Sequence, residues 1–293
     1  MKKIFLSFAI ISILSLFSEN IFSQKNKFEF LPDGINFLPL RANMQEAKLG
    51  ILYYPGNANL KVDIGNSMDL FAIHFPDDKS KLTFGVEFMA YASVIGYQQL
   101  RLQIDAIDGF FGGSAAYSKL MNDNLFQIRF RIIHNSAHLV DGNWWATEHP
   151  RTWRKPGGPI PFTRDFGELI FANNQEFLNS NFRYYLGGAY AVLVRPKEIK
   201  RFSALTGLEI HSEKLLPKLL SKPTNIFFAY HLNVAGYPKY TGTNQIQLGI
   251  KFGEWQTKGV AFYTSYFSGN NMMSEYYNER VNQFGIGFRV DFP

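Results

Sequence analysis

One short stretch of the sequence, His134-Asn135-Ser136, carries the side chains of a serine hydrolase at a spacing that could bring them together. In an extended strand, residues two apart lie on the same face with their Cα atoms roughly 6 to 7 Å apart. At that separation an imidazole nitrogen can accept the proton of a serine hydroxyl, which activates the serine oxygen. The pair therefore predicts acyl transfer, with Ser136 as nucleophile and His134 as base. A hydrogen-bonded polar rim is the structural alternative.

A second histidine, His138, lies on the same face and suggests a metal site. Histidines four residues apart stack on a helix, but in an extended strand they are about 13 Å apart and cannot share one ion. We therefore expect no metal and no other cofactor.

The strand that holds the pair alternates apolar and polar residues. One face carries Phe126, Ile128, Phe130 and Ile132, and the other carries Gln127, Arg129 and Arg131. By this parity His134 and Ser136 share the apolar face. Similar segments recur along the chain to its end, where Phe284, Ile286 and Phe288 oppose glycines and a charge. Apolar side chains opposite polar ones fit strands with lipid outside and a polar lumen inside.

The alternation predicts an all-β fold, an antiparallel transmembrane β-barrel of about twelve strands. The predicted strands span residues 46–54, 60–75, 81–94, 102–120, 124–140, 162–175, 181–194, 201–213, 224–238, 243–254, 259–270 and 281–292. An even number places both ends at the periplasmic side, with the longer loops outside. His134 and Ser136 should then emerge at the outer lipid interface. The connection 213–224 is long for an inner turn and is predicted to hold a helical turn at residues 214–216.

The start of the chain and its composition favour export to the bacterial outer membrane. A basic start and an apolar run over residues 4–17 predict a signal peptide, residues 1–23, which leaves residues 24–293 as a single barrel domain. Charged residues make up 18% of the chain, below the roughly 25% of soluble domains. We expect an integral outer-membrane protein whose partners are membrane lipids, lipopolysaccharide and the barrel-assembly machinery.

Cysteine usage and charge exclude several classes. The sequence has no cysteine, which excludes a disulfide framework, thiol chemistry and a lipid-modified cysteine anchor. Its formal net charge of +6 is small and scattered, unlike the basic stripe of a nucleic-acid-binding protein.

Charges of both signs fall on the predicted lumen face. The residues expected there are Glu87, Arg129, Arg131, Arg183 and Lys251, together with Glu209, His231, Arg289 and Asp291. Such charges can pair across a narrow barrel and fill it, or line a small water path. The sequence therefore favours a passive structural or small-pore barrel, and a lipid-facing serine hydrolase is the alternative.

Three motifs resemble a family of bacterial outer-membrane proteins, domain-of-unknown-function family 1207. They are Asn66-Ser67-Met68-Asp69-Leu70, the His-x-Ser-small-His-Leu pattern within residues 131–139, and Tyr277-Asn278-Glu279-Arg280-Val281 followed by Phe284-Gly285. The resemblance covers nearly the whole mature chain. It implies a barrel and no established activity.

The His-x-Ser pair is also similar to the outward-facing pair of two outer-membrane lipid hydrolases, phospholipase A and the lipid A deacylase. In those enzymes a polar residue twelve positions beyond the serine orients the histidine. Glu148 occupies that position here, so the resemblance implies Glu148 as the orienting residue. Ala137 follows the serine where those enzymes usually have Asn.

Overall fold

The computed structural model describes residues 26–97, 101–138, 144–145, 152–153, 157–219 and 221–293. These residues form fifteen strands and one short 3-10 helix, Ser274–Tyr276. The strands are β1 (Lys27–Phe30), β2 (Leu49–Tyr54), β3 (Asn59–His74), β4 (Ser80–Tyr97), β5 (Arg101–Met121), β6 (Asn124–His138), β7 (Trp144–Trp145), β8 (Thr152–Trp153), β9 (Thr163–Phe177), β10 (Ser180–Arg195), β11 (Phe202–Ser212), β12 (Thr224–Gly236), β13 (Tyr240–Phe252), β14 (Gly259–Asn270) and β15 (Arg280–Asp291). The predicted signal peptide lies outside the described residues.

Twelve of these strands, β2 to β6 and β9 to β15, close into an antiparallel barrel. Each pairs with its neighbours, and β2 completes the ring by pairing with both β15 and β3. The prediction of a twelve-stranded antiparallel barrel is confirmed. The predicted strand ends lie within three residues of the observed ones. Outside the ring, β1 pairs with the end of β3, and β7 with β8.

The exposure pattern is the reverse of that in a water-soluble protein. Ile132 and Leu186 are more than 60% exposed, whereas Arg131 and Lys251 are at most 1% exposed. Large apolar side chains therefore cover the outside and ionic ones fill the inside, as in barrels that cross a bilayer. No helix in the described part of the chain has the length and hydropathy of a membrane span.

Short turns lie at one end of the barrel, which we call the inner end; the opposite end is the outer end. Both residues of the Asn122-Asp123 turn and of the Leu178-Asn179 turn have positive φ. This geometry belongs to two-residue hairpins whose twist matches that of the flanking strands. The predicted helical turn at residues 214–216 is wrong. Those residues form bends, and a bridge between Leu219 and Lys222 tightens the connection.

A segment with no strand structure, residues 36–48, passes through the barrel interior; we call it the plug segment. It forms hydrogen bonds and an ion pair with barrel strands on several sides of the ring. Asn36 donates to the Ala116 carbonyl of β5 at 2.8 Å, and the Leu38 carbonyl accepts from Arg183 of β10 at 2.9 Å. Arg41 pairs with Asp291 of β15 at 2.9 Å. One segment can contact strands on opposite sides of a ring only from within it.

The connection between β14 and β15, residues 271–279, folds inward over the outer end; we call it the outer loop. Ser274 Oγ donates to Asp108 at 2.5 Å, and the Met272 carbonyl accepts from the Tyr91 hydroxyl at 2.9 Å. A cavity of about 70 Å³ remains between this loop and the plug segment. It has room for only a few water molecules.

Candidate active site

Strand β6 holds His134 and Ser136 on its outward face. Phe130 and Ile132 are 45% and 61% exposed, whereas Arg129 and Arg131 are buried. β6 pairs with β5 and β9 without a register shift, so this parity continues to the outer end. His134 and Ser136 are both half-buried, on the same side as the exposed apolar residues.

A carboxylate on the next strand holds the His134 ring. His134 lies opposite Asp165 of β9, and its Nδ1 is 2.5 Å from Asp165 Oδ1. On the other side, the Phe111 ring lies 4.8 Å from the imidazole, centroid to centroid. When Nδ1–H donates to the carboxylate, the neutral imidazole carries its lone pair on Nε2. In that arrangement Asp165 accepts from Nδ1–H, and Phe111 restricts the orientation of the ring.

Among the described residues, the outward surface beside Ser136 is open. Its cross-strand neighbours are Gly109 and Thr163. A Cβ added at Gly109 would meet only the Ser136 carbonyl oxygen, at 3.8 Å. A glycine at this position leaves a shallow depression in which a substrate carbonyl could approach the serine.

The structure places beside His134 a carboxylate that was not predicted from the sequence, Asp165. Glu148 lies outside the described residues, as does the side chain of His138. Asp165 was missed, although parity carried a signal: it shares a face with Leu169 and Phe171, so a lone carboxylate falls on the lipid side of β9. Asp165 lies opposite His134 because of the register between β6 and β9. The length of the connection between these strands means that this register cannot be read from the sequence.

Five of the residues expected in the lumen, Glu87, Arg129, Arg131, Arg183 and Lys251, point into the barrel interior, where each has an ionic partner. Arg129 donates to both oxygens of Glu46, at 2.9 and 2.5 Å. Arg131 donates to Glu168 at 2.6 Å and to Glu87 at 3.2 Å. The remaining pairs are Arg183 with Glu209 at 3.4 Å and Lys251 with Asp291 at 2.9 Å.

The plug segment supplies part of this network, which the sequence did not indicate. Glu46 is 2% exposed and neutralises charge on two arginines of β6. The Phe37 ring lies 4.5 Å from the guanidinium groups of both Arg129 and Arg183. Buried cations are stable only when paired and hydrogen-bonded. The interior charges therefore serve packing of the plug segment in this structure.

Two outer-loop residues have raised pKa values. Burial, reinforced by Asp108 and Asp105, raises the pKa of Glu275 to about 8. Burial and the hydrogen bond to Glu198 raise the pKa of Tyr277 to about 12. At neutral pH the docked outer loop therefore favours a protonated Glu275.

Several solved structures of bacterial outer-membrane proteins are similar to this chain. The outer membrane phospholipase of Salmonella typhi, solved as a dimer with bound calcium, is 10% identical, with 89% of this chain and 95% of that chain covered and a TM-score of 0.52. The Escherichia coli outer membrane phospholipase A is 11% identical, with coverage of 80% and 81% and a TM-score of 0.48. LpxR from Salmonella typhimurium is 12% identical, with coverage of 83% and 98% and a TM-score of 0.38. At such identities the likeness concerns the fold, that of outer-membrane barrels.

The family assignment rests on sequence. No curated protein matches the chain. The profile of the family described as "Protein of unknown function (DUF1207)" matches residues 27–292, the whole barrel with the plug segment. The predicted family resemblance is thereby confirmed, and this chain belongs to the DUF1207 family.

Proposed function

We propose that this protein is an integral outer-membrane lipid acyl hydrolase, with Ser136 as nucleophile, His134 as base and Asp165 as the residue that positions the base. The observation that carries the proposal is the 2.5 Å contact between His134 Nδ1 and Asp165 Oδ1, on the same outward face as Ser136. A carboxylate at this position suits a general base, because it stabilises the imidazolium that forms when the base accepts a proton.

The surroundings of the site support a lipid substrate. Phe111 and Ile132, next to the pair, are 55% and 61% exposed on the apolar outer surface. One barrel with a TM-score of 0.52 is named an outer membrane phospholipase, and it shares the architecture at 10% identity. Outer-membrane lipids and lipopolysaccharide are the proposed partners, and the barrel-assembly machinery would insert the chain.

The reaction follows from the roles of the three side chains. His134 Nε2 accepts the Ser136 hydroxyl proton as Oγ bonds to the ester carbonyl carbon. The tetrahedral intermediate collapses, the ester C–O bond breaks, and the imidazolium returns the proton to the leaving alcohol. Water, deprotonated by His134, then attacks the acyl-serine; the acyl C–Oγ bond breaks, the imidazolium returns the proton to Ser136 Oγ, and the fatty acid leaves.

The direct test is fatty acid release by the purified protein in mixed micelles of phospholipid or lipid A. Ser136→Ala should abolish release while the barrel stays heat-modifiable on gels. Ser268→Ala is the matched control, since Ser268 also lies near the outer end of its strand, on the outward side of β14. Release that survives Ser136→Ala, or its absence with every lipid, would exclude the hydrolase.

The depression beside Ser136 offers a second test. Gly109→Leu places a side chain over the serine, where only one backbone atom lies within 4 Å of the new Cβ. We expect acyl release to fall sharply with little change in stability. Unchanged activity would mean that substrate does not reach Ser136 from this side.

A passive structural barrel is the second candidate, and the packed interior favours it. Glu46 and Phe37 of the plug segment occupy the space between the lumen arginines. A small pore would need a water path past this segment. Planar-bilayer recordings should therefore show no steady conductance, whether or not the protein releases fatty acid.

A further inference from the structure

Five cationic side chains gather at the outer end of the barrel, on the loops that join β10 to β11 and β12 to β13. We call them the basic rim: Arg195, Lys197, Lys200, Arg201 and Lys239, all exposed. A backbone hydrogen bond joins the two loops, since the Lys200 amide donates to the Gly236 carbonyl at 2.9 Å. Across the loop between β10 and β11, the Ala191 amide donates to the Arg201 carbonyl at 2.8 Å. The rim is therefore one fixed surface.

The charge of the basic rim is not neutralised within the part of the chain that the structure describes. None of its five residues forms an ion pair there. Arg201 donates to the Ala191 and Val192 carbonyls at 3.0 and 2.6 Å, which holds its guanidinium in place. The carboxylate on the same loop, Glu198, accepts from Tyr277 of the outer loop at 2.6 Å. That hydrogen bond holds the pKa of Glu198 below its usual value.

The rim lies at the depth of lipid headgroups. Directly adjoining it along the strands are Tyr190, Val192, Phe202 and Tyr240, each more than half exposed. Tyrosines at the end of an apolar band mark the membrane–water interface of β-barrels. The cations lie beyond this band, where the phosphates of an outer-leaflet lipid would be.

We infer that the basic rim binds the phosphate groups of lipid headgroups. Guanidinium and ammonium groups are the side chains that bind phosphate in proteins. The occupant is a lipid rather than a soluble anion, because acyl chains can cover the exposed apolar residues that adjoin the cations. This binding rests on the proposed membrane location and does not require hydrolysis.

The rim is close to the candidate active site. Asp165 of β9 lies between His134 of β6 and Leu193 of β10, and Arg195 is two residues beyond Leu193. Two strand spacings, about 10 Å, therefore separate β6 from β10. Combined with the proposed function, the rim assigns a phosphate-bearing lipid as the substrate.

The test measures lipid A retention by the full-length protein in detergent micelles, using native mass spectrometry at low ionic strength. The rim variant is Lys197→Gln/Lys200→Gln/Lys239→Gln, which spares the arginines bonded to the backbone. The matched control is Lys218→Gln/Lys222→Gln/Lys258→Gln, which removes three exposed cations at the inner end. We expect retention to fall roughly 100-fold in the rim variant, given about tenfold or less per lysine near an anionic lipid surface, and to stay near wild type in the control.

Three further measurements separate the possible causes of a loss of lipid A retention. Lipid A without its phosphates but with the same acyl chains should bind wild type as weakly as lipid A binds the rim variant. Inorganic phosphate should not displace lipid A at equal concentration. Equal loss in both lysine variants, or equal binding of the dephosphorylated lipid, would overturn the inference. Ser136→Ala should bind lipid A like wild type, so failure of hydrolysis and failure of the rim are distinguishable.

Discussion

Strand β6 carries polar side chains on both faces, and the two faces differ in burial and in ionic partners. Inward, Arg129 and Arg131 are almost completely buried and bound by several carboxylates. Outward, His134 is about one third exposed and, among the described residues, has one carboxylate partner. Removal of one member of a buried ion pair leaves a charge that water cannot reach. In a half-exposed pair, water can solvate the charge that remains. The difference suggests that the inner face maintains the barrel and that the outer face is available for chemistry.

Removal of an inward cation should have the largest effect. Arg131→Ala leaves Glu87 without its partner and Glu168 with only its 3.5 Å contact to Arg129, which should lower the free energy of unfolding by about 3–5 kcal/mol. Urea unfolding of the protein in lipid vesicles, followed by tryptophan fluorescence, measures this loss. Lys197→Gln, which removes an exposed cation, should change it by less than about 0.5 kcal/mol. A small loss in Arg131→Ala would mean that the interior relaxes or admits water.

Removal of the outward carboxylate should spare stability and reduce activity. Asp165→Ala takes away the group that orients His134, so acyl release should fall roughly 100-fold with unfolding nearly unchanged. Asp165→Asn should lose less, since an amide oxygen still accepts from Nδ1–H. Glu148→Gln is the comparison, and we expect it to lose less than Asp165→Ala. The reverse order would assign the orienting role to Glu148.

The outer loop gives a pH-dependent contrast with the salt-bridged interior. Glu275 is 2% exposed, and its Oε2 has no hydrogen-bond partner among the described residues. Its pKa rises from 4.5 to about 8 in the docked loop, so the docked loop binds more protons between these values. Docking should therefore weaken as pH increases through this range, with no further change above it. Protection of the Ser274 amide, from hydrogen exchange corrected for intrinsic rates, should fall accordingly, and Glu275→Gln should reduce the trend.

The smallest effect is expected from an exposed ion pair at the inner end. Lys214 Nζ lies 2.8 Å from Glu176, and both side chains are more than half exposed. Solvent and salt screen such a pair, so Lys214→Gln should leave the urea midpoint unchanged. A clear shift would show that the bends at residues 213–216 depend on this contact.

The barrel was predictable and the plug segment was not, for one physical reason. A strand between lipid and a polar interior must alternate, so Phe130 and Arg131 reveal their faces in the sequence itself. Residues 36–48 contact strands in every direction and follow no period. Glu46 was accordingly expected in the first strand, although it lies just before β2 and pairs with β6.

The candidate site was predictable only in part, because only some of its residues are close together in the sequence. His134 and Ser136 are two residues apart, and parity places them on one face. Asp165 reaches His134 through a β6–β9 register that the intervening connection does not encode. Local spacing is visible in a sequence, and pairing across a long connection is not.

The seam between the first and last barrel strands bears on assembly. β2 and β15 are joined by only five residue pairs, Ile286 to Val290 against Leu49 to Tyr53. The plug segment ends directly before β2, and its Arg41 pairs with Asp291 at the end of β15. The first and last barrel strands therefore meet around residues 36–48, in a contact of very long sequence separation that folds slowly. Threading and ring closure are thus coupled steps, and an insertion partner that holds the ring open until residues 36–48 have entered would control both.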